Sequence, residues 1–364
     1  MSDKLRVMVV DDSAFNRRTI GDLLANIDGV EVVGKAADGD EALKLAASLT
    51  PDLITLDLEM PRMDGFTFLR LLMARQPTPV IVVSGNSARE NVFRALELGA
   101  IDFIAKPTRT IASDLSAIEQ ELAEKVAMVR QLTPAGRDPK RRMILRPAPT
   151  NSGMFSQQPS VERPPAPVVP ERDNIINKLL VIGASTGGPS ALVEVFSHFK
   201  PNSNAAVVVA QHMPERFTKT FAERLHKLGG LRVSEAREFE PLAPGRAVLC
   251  PGGKCLEIVT FGNGLAASVV DPAPGDRFIP SVDRLFKSAA EAAGERVIGV
   301  VLTGMGDDGA RGVVAIKAHG GTVYAEAPET AVIYGMPGAA VRTGEVDKSM
   351  PLGALGTHLA ELIV

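Results

Sequence analysis

What most limits the folds open to this chain is a rhythm. Short, nearly unbroken runs of Val, Ile and Leu alternate with stretches patterned for helices, and this happens twice, on either side of a proline-rich stretch. In the first block the runs are LRVMVV, VEVVGKA, PDLITLD, TPVIVVS and IDFIAKP, between Leu5 and Pro107. Such runs fit strands buried on both faces of a parallel sheet, with helices as the crossovers. In the second block KLLVIG, NAAVVVA, RVIGVVLTG and GTVYAE repeat the pattern, while AVLCPGG, CLEIV and AASVVD read as a hairpin excursion near a sheet edge. The expected fold is α/β throughout. A flavodoxin-like (βα)5 unit spans residues 1–132, a linker 133–175, and a doubly wound, mainly parallel α/β unit 176–364.

The linker reads TPAGRDPKRRMILRPAPTNSGMFSQQPSVERPPAPVVPERDN, dense in proline and without apolar periodicity. That composition predicts an extended, semi-rigid tether, with Lys140, Arg141 and Arg142 as a solvated basic cluster. A length of 364 residues suits two domains at roughly 100–200 residues each. A net charge of −3, the absence of Trp and the lack of a basic patch interleaved with aromatics exclude a general nucleic-acid binder. No apolar run approaches the ~20 residues that span a bilayer, and MSDKLRVMVVDD is not a signal peptide, so a cytoplasmic protein without membrane insertion is expected. Cys250 and Cys255, across a Pro-Gly-Gly turn, are read as reduced structural thiols.

Ligands of doubly wound sheets bind beyond the carboxyl ends of the strands. In the first block Asp11 and Asp12 end the first run, Asp57 the third, Ser84 the fourth and Lys106 the fifth. Three carboxylates at one edge repel one another unless a divalent cation sits among them, and an oxygen-rich, water-accessible site suits Mg²⁺. A metal beside a carboxylate nucleophile, with an ammonium and a hydroxyl nearby, is a phosphoryl-transfer site. Taken singly, Asp12 or Ser13 could cap a helix and Lys106 could be solvated.

The second block opens on KLLVIGASTGGP, where an apolar run enters a glycine-flanked turn centred on Ser185. Gly183-Ala184-Ser185-Thr186-Gly187 fits the G-x-S-x-G elbow, which lifts a serine hydroxyl into a cleft. Serine needs a base. His198, His226, His319 and His358 fall within or at the ends of helical patterns and read as structural or surface residues; His212 directly follows AAVVVA, at the strand edge Ser185 occupies. The base in turn needs a carboxylate, and Asp307 and Asp308 in TGMGDDGA follow another strand. Spacing does not choose between the two. The order Ser, His, Asp disfavours the α/β-hydrolases, whose order is Ser, Asp, His.

The first block resembles a two-component response-regulator receiver domain on Asp11-Asp12, DLEMPRMDG around Asp57, Ser84 and Lys106-Pro107. The resemblance implies Asp57 as phosphoacceptor and Mg²⁺ held by Asp11, Asp12, Asp57 and the Glu59 carbonyl. It further implies Ser84 and Lys106 on the phosphoryl group, Phe103 as aromatic switch, and a Lys106–Pro107 bond that is often cis. The second block resembles the chemotaxis protein-glutamate methylesterase family on GASTGGP, QHMP and LTGMGDDGA. That implies Ser185 as nucleophile, His212 as base, Asp308 as orienting acid, and the Thr186 and Met305 backbone N–H groups as oxyanion hole. It also implies hydrolysis of glutamate γ-methyl esters, and deamidation of glutamines, on methyl-accepting chemoreceptors. The esterase step needs no cofactor on this reading, and a chemotaxis histidine kinase supplies the phosphoryl group.

A rival reading makes GASTGG a phosphate loop in a phospho-regulated nucleotide-binding or scaffold protein. It requires GxGxxG at the first turn and an acid ending the second strand. GASTGG lacks that spacing, and Gln211-His212 stand where the acid belongs. Gly304-Met305-Gly306-Asp307-Asp308-Gly309 matches GxGxxG in letters, but it follows a later strand and carries two carboxylates. A third reading keeps the esterase chemistry with another methylated partner.

Overall fold

The computed structural model describes residues 4–85, 89–106, 112–132 and 176–364. The expected linker and the Lys106–Pro107 bond lie outside them.

The first block folds as a single sheet with the order β2-β1-β3-β4-β5. Its strands are β1 (Leu5–Val10), β2 (Val30–Ala36), β3 (Leu53–Leu56), β4 (Val80–Ser84) and β5 (Asp102–Ala105). All neighbours pair in parallel. The crossovers are α1 (Ala14–Ala25), α2 (Gly39–Leu49), α3 (Gly65–Arg75) and α4 (Arg89–Glu97), with α5 (Ala112–Val129) closing the unit. Strands β3 and β4 are buried along their whole length, which is why they read as unbroken apolar runs. Helix starts are marked by side-chain caps at Ser13, Asp38 and Asp64, each accepting a backbone N–H and each contributing about 1 kcal/mol. Ser13, not Asp12, caps α1, so Asp12 remains available at the strand edge.

The second block forms a larger parallel sheet with the order β15-β14-β13-β6-β7-β10-β8. Its members are β6 (Lys178–Ala184), β7 (Ala205–Gln211), β8 (Arg232–Glu235), β10 (Arg246–Leu249), β13 (Val297–Val301), β14 (Thr322–Glu326) and β15 (Lys348–Met350). Helices α6 (Gly188–Ser197), α7 (Glu215–His226), α8 (Val282–Ala293), α9 (Ala310–Ala318), α10 (Met336–Arg342) and α11 (Leu352–Leu362) accompany them. A small antiparallel sheet is made by β11 (Cys255–Phe261), β12 (Gly264–Val270) and β9 (Phe239–Pro241).

The expected excursion is therefore only partly a hairpin. CLEIV and AASVVD pair as one, but AVLC does not join them. Its strand β10 lies inside the main sheet, parallel to both β7 and β8. The reason is burial: Ala247, Val248 and Leu249 are all enclosed, and a central parallel position covers both faces of such a run.

Candidate functional site

The strand order of the large sheet reverses at β6, which lies between β13 and β7. Crevices at such a switch point open beyond the strands' carboxyl ends. Ser185 follows β6, His212 follows β7, and Asp308 lies in the loop after β13, so three adjacent strands deliver three residues to one place.

The elbow is tight because α6 begins only three residues after Ser185, at Gly188. Ser185 N–H donates to the Thr303 carbonyl at 3.0 Å, and Gly188 N–H donates to the Ser185 carbonyl at 2.7 Å. Gly187 takes a left-handed φ of 77°, and a Cβ at Gly183 would sit 2.2 Å from Val282 Cγ1 on the neighbouring helix. Both positions demand glycine, one for its backbone angle and one for space.

His212 N–H donates to the Ala184 carbonyl at 3.0 Å, which extends the β6–β7 pairing and holds the histidine beside the elbow. Its Nε2 lies 2.9 Å from Asp308 Oδ2. An ionised carboxylate only accepts, so Nε2 carries the proton and Nδ1 is left as the acceptor nitrogen. Among the described residues the Ser185 hydroxyl is not bonded to His212; such bonds often tighten only with substrate in place.

Asp308 is 2% exposed and fully engaged. Besides His212 it accepts the Val282 N–H at 2.8 Å and the Asp283 N–H at 2.9 Å, both from the first turn of α8. The unpaired amides and dipole of a helix start favour a negative charge there. Asp307, its neighbour, has a side chain 55% exposed and pairs with Arg277 at 3.3 Å. Burial and the helix start separate two aspartates that spacing left equivalent.

The Thr186 and Met305 N–H groups donate to no acceptor among the described residues. Thr303 braces this region: its hydroxyl donates to the Thr186 carbonyl at 2.9 Å, and its own N–H donates to the buried Glu326 Oε2 at 2.8 Å. The other histidines lie elsewhere. His226 accepts the Val233 N–H, His319 bonds the Ala315 carbonyl, His198 sits beside Glu194 and Thr357, and His358 packs edge-on against Tyr324.

Sequence reasoning assigned no role to several residues that shape this cluster. Gln211 is buried, and its Nε2 donates to the carbonyls of both Ser185 and His212 at 2.9 Å, tying the two turns together. Asp283 returns what Asp308 receives. Its Oδ1 accepts the Gly309 and Gly312 N–H groups at the start of α9, at 3.1 and 2.8 Å, while Oδ2 pairs with Arg311. A carboxylate on the buried face of an amphipathic helix was the available signal for Asp283. These bonds also count against the nucleotide reading, because the Gly309 and Gly312 amides at the start of α9 are already taken by Asp283.

At the first sheet, ligand atoms of Asp11, Asp12 and Asp57 lie within 4.8 Å of one another. Lys106 Nζ bonds Asp57 Oδ2 and lies 3.1 Å from Asp11 Oδ2. Glu59 N–H donates to Asp57 Oδ1 at 3.2 Å, and Ser84 is buried at the end of β4. Burial pushes the Asp57 carboxyl above its ordinary range, more than the Lys106 bond lowers it. Burial pulls the Lys106 ammonium down, but the bond and charge of Asp57, with Asp11, outweigh this and leave it raised. Three clustered carboxylates are a hard-oxygen donor set that fits Mg²⁺. Phe103 is buried, with its ring centroid 4.4 Å from that of Phe217 in the second block.

Two family models match: "CheB methylesterase" over residues 180–359 and "Response regulator receiver domain" over residues 7–115. Protein-glutamate methylesterase/protein-glutamine glutaminase 3 of Geobacter sulfurreducens is 44% identical, covering 98% of this chain and 97% of that one. The corresponding protein 6 of Anaeromyxobacter dehalogenans is 47% identical, over 98% and 95%. The chain belongs to the protein-glutamate methylesterase/protein-glutamine glutaminase family. Among solved structures, the Thermotoga maritima CheB methylesterase catalytic domain is 36% identical and superposes with a TM-score of 0.50, covering 52% of this chain and all of that one.

In this methylesterase-family chain the receiver packs directly against the esterase elbow. Phe93 and Phe103 meet Phe217 and Phe221, with Phe93 stacked on Phe221 at 5.2 Å. Glu97 pairs with Arg224, and Leu132 bridges Ile333. Most directly, Thr186 Oγ1 donates to Asp102 Oδ2 at 2.8 Å, and Lys125 Nζ lies 2.7 Å from the same oxygen. Asp102 is the residue before Phe103, so the strand that ends near Lys106 reaches the residue next to Ser185 through one buried bond.

Proposed function

We propose that this protein hydrolyses glutamate γ-methyl esters on methyl-accepting chemoreceptors, and deamidates receptor glutamines at the same site, under control of its own receiver. The observation that carries the reading is the His212–Asp308 pair beside Ser185, at the ends of three adjacent strands, with two backbone N–H groups unused nearby. The names of the full-length relatives support the substrate class.

In this scheme Ser185 Oγ attacks the ester carbonyl while His212 Nδ1 takes its proton. Asp308 holds the tautomer and stabilises the imidazolium that forms. The Thr186 and Met305 N–H groups receive the oxyanion; losing one such donor costs roughly 10²–10³ in rate. His212 returns the proton to the leaving methanol, or to ammonia from a glutamine. It then activates water, which releases the glutamate carboxylate from the acyl-enzyme.

The receiver is proposed to accept a phosphoryl group on Asp57 from a chemotaxis histidine kinase. Mg²⁺ would be held by Asp11, Asp12, Asp57 and the Glu59 carbonyl, and when bound it screens the charge of carboxylates and phosphoryl group. Ser84 and Lys106 would contact the phosphoryl oxygens, with Phe103 as switch. The division into residues 1–132, 133–175 and 176–364 then separates receiver, linker and esterase. The packed receiver restrains Thr186 and narrows access to Ser185, and phosphorylation shifts the population towards a released arrangement. No described helix is long and apolar enough to cross a membrane.

The test is methanol release from methylated receptor cytoplasmic fragments by wild type and Ser185→Ala, each with and without a small phosphodonor and Mg²⁺. Serine-dependent release that rises with the phosphodonor is expected. No release from folded wild type under either condition would sink the reading.

A further inference from the structure

Phe278 has no part in the scheme above, yet it lies against the base. It sits on the segment joining β12 to α8, three residues before Ser281, which caps α8. Its ring is nearly parallel to the His212 imidazole, with centroids 5.4 Å apart and planes 5° apart. Gly306, with φ 89°, is on the loop that carries Asp308, and a Cβ there would meet Phe278 Cζ at 3.1 Å. A side chain at that position would crowd the phenyl. The ring therefore touches both the base and the loop of its acid.

We propose that Phe278 is a positioning residue for His212: it holds the imidazole plane so that Nε2 stays on Asp308 and Nδ1 is left for the nucleophile, and its π face favours the imidazolium. The inference rests on the esterase reading. An aromatic face carries negative charge density and attracts a cation more than a neutral ring. In the scheme above His212 gains a proton as Ser185 attacks, so the attraction strengthens towards the transition state and acts on kcat more than on KM.

The charges around the stack are few. Asp308 faces His212 at 2.9 Å. Arg277 Cζ lies 5.3 Å from the Phe278 centroid and opposes a cation there, but the guanidinium is paired with Asp307 at 3.3 Å. Behind Asp308, the Asp283–Arg311 pair is closed at 2.7 Å. Replacing the ring of Phe278 leaves the Asp308, Asp307 and Asp283–Arg311 pairings in place and removes the ring's own contacts, to His212 and to Arg277.

The experiment compares wild type, Phe278→Leu and Phe278→Tyr in the full chain. His212 is titrated by NMR, its signal assigned by loss in His212→Gln, and methanol release is followed across pH. In Phe278→Leu, kcat should fall roughly 3- to 10-fold with KM little changed. Its His212 titration and the acid limb of kcat/KM should both move to lower pH, by roughly half to one unit. Phe278→Tyr should keep wild-type values in both. An unmoved titration in Phe278→Leu, whatever happens to kcat, would reduce Phe278 to packing and overturn the proposal, as would equal losses in Leu and Tyr. The titration needs no turnover, so a wild type that releases no methanol sinks the esterase reading while the stacking is still decided.

Discussion

The Asp57 cluster and the Ser185 cluster occupy the same address in two parallel sheets, the carboxyl edge, and are built on opposite electrostatic plans. At the first, Asp11, Asp12 and Asp57 crowd within 4.8 Å with one ammonium among them. Two like charges 4 Å apart repel by about 1 kcal/mol in water and about 4 kcal/mol at the effective dielectric of a protein surface. Repulsion of that size is what a bound cation would relieve. At the second, one buried carboxylate is satisfied by two helix-start amides and a histidine, and the remaining donors are backbone N–H groups. The fold supplies the edge in both cases. Whether the edge binds a metal and a phosphoryl group or polarises a neutral ester depends on how its charge is satisfied.

Breaking the second plan should give the largest effect. Asp308→Asn leaves the shape of the site but withdraws the charge that fixes the His212 tautomer, and loss of kcat by roughly 10⁴ is expected. Circular dichroism and a melting curve recorded beside the methanol assay check that the loss is chemical; full hydrolytic rate in the folded variant would remove Asp308 from the scheme.

A smaller effect is expected where the two regions touch. Asp102→Ala deletes the acceptor for the Thr186 hydroxyl, a bond to a charged group with a net value of roughly 1.5–3 kcal/mol. If that bond helps hold the receiver in place, the phosphodonor-independent rate should rise about tenfold or more while the fully phosphorylated rate stays near wild type, since each ~1.4 kcal/mol is a factor of ten. An unchanged basal rate would mean that the Phe93–Phe103–Phe217–Phe221 packing holds the receiver without it.

The subtlest test sharpens the first plan. Asp57→Asn should abolish the response to phosphodonor while leaving basal hydrolysis. It should also change how stability depends on pH in Mg²⁺-free buffer. Burial raises the Asp57 carboxyl in the folded chain above its unfolded value, so folding favours the protonated form. That contribution is present at low pH and is lost as pH rises through the raised folded value. Melting temperatures should therefore show wild type losing ground to Asp57→Asn across that window, with a constant difference above it. A difference independent of pH would mean that Asp57 ionises as freely folded as unfolded.

The strands were legible because parallel strands covered on both faces must be apolar without interruption, and that leaves a mark one segment long. The same logic misplaced AVLC, since a short apolar run does not say which neighbours cover it; only the sheet order puts β10 between β7 and β8. Ser185 and His212 could be proposed from their position directly after apolar runs. Gln211 and Phe278 could not, and Asp283 only as a buried carboxylate without a named partner, because their partners are residues 26, 66 and 26 positions away, brought close only by the crossovers.

The sequence by itself determined two α/β sheets, the edge at which each gathers its polar residues, and a short set of candidates there, because strand burial and strand-end placement are local properties. Spacing left Asp307 and Asp308 equivalent and only the family resemblance chose between them; the tertiary structure shows why Asp308 meets His212, and it alone shows which receiver residue reaches Thr186. Those outcomes depend on where the α8 amides and the β5 strand end lie in space. Hydrogen bonds of under 3 Å select between adjacent residues in a way that no spacing along the chain records.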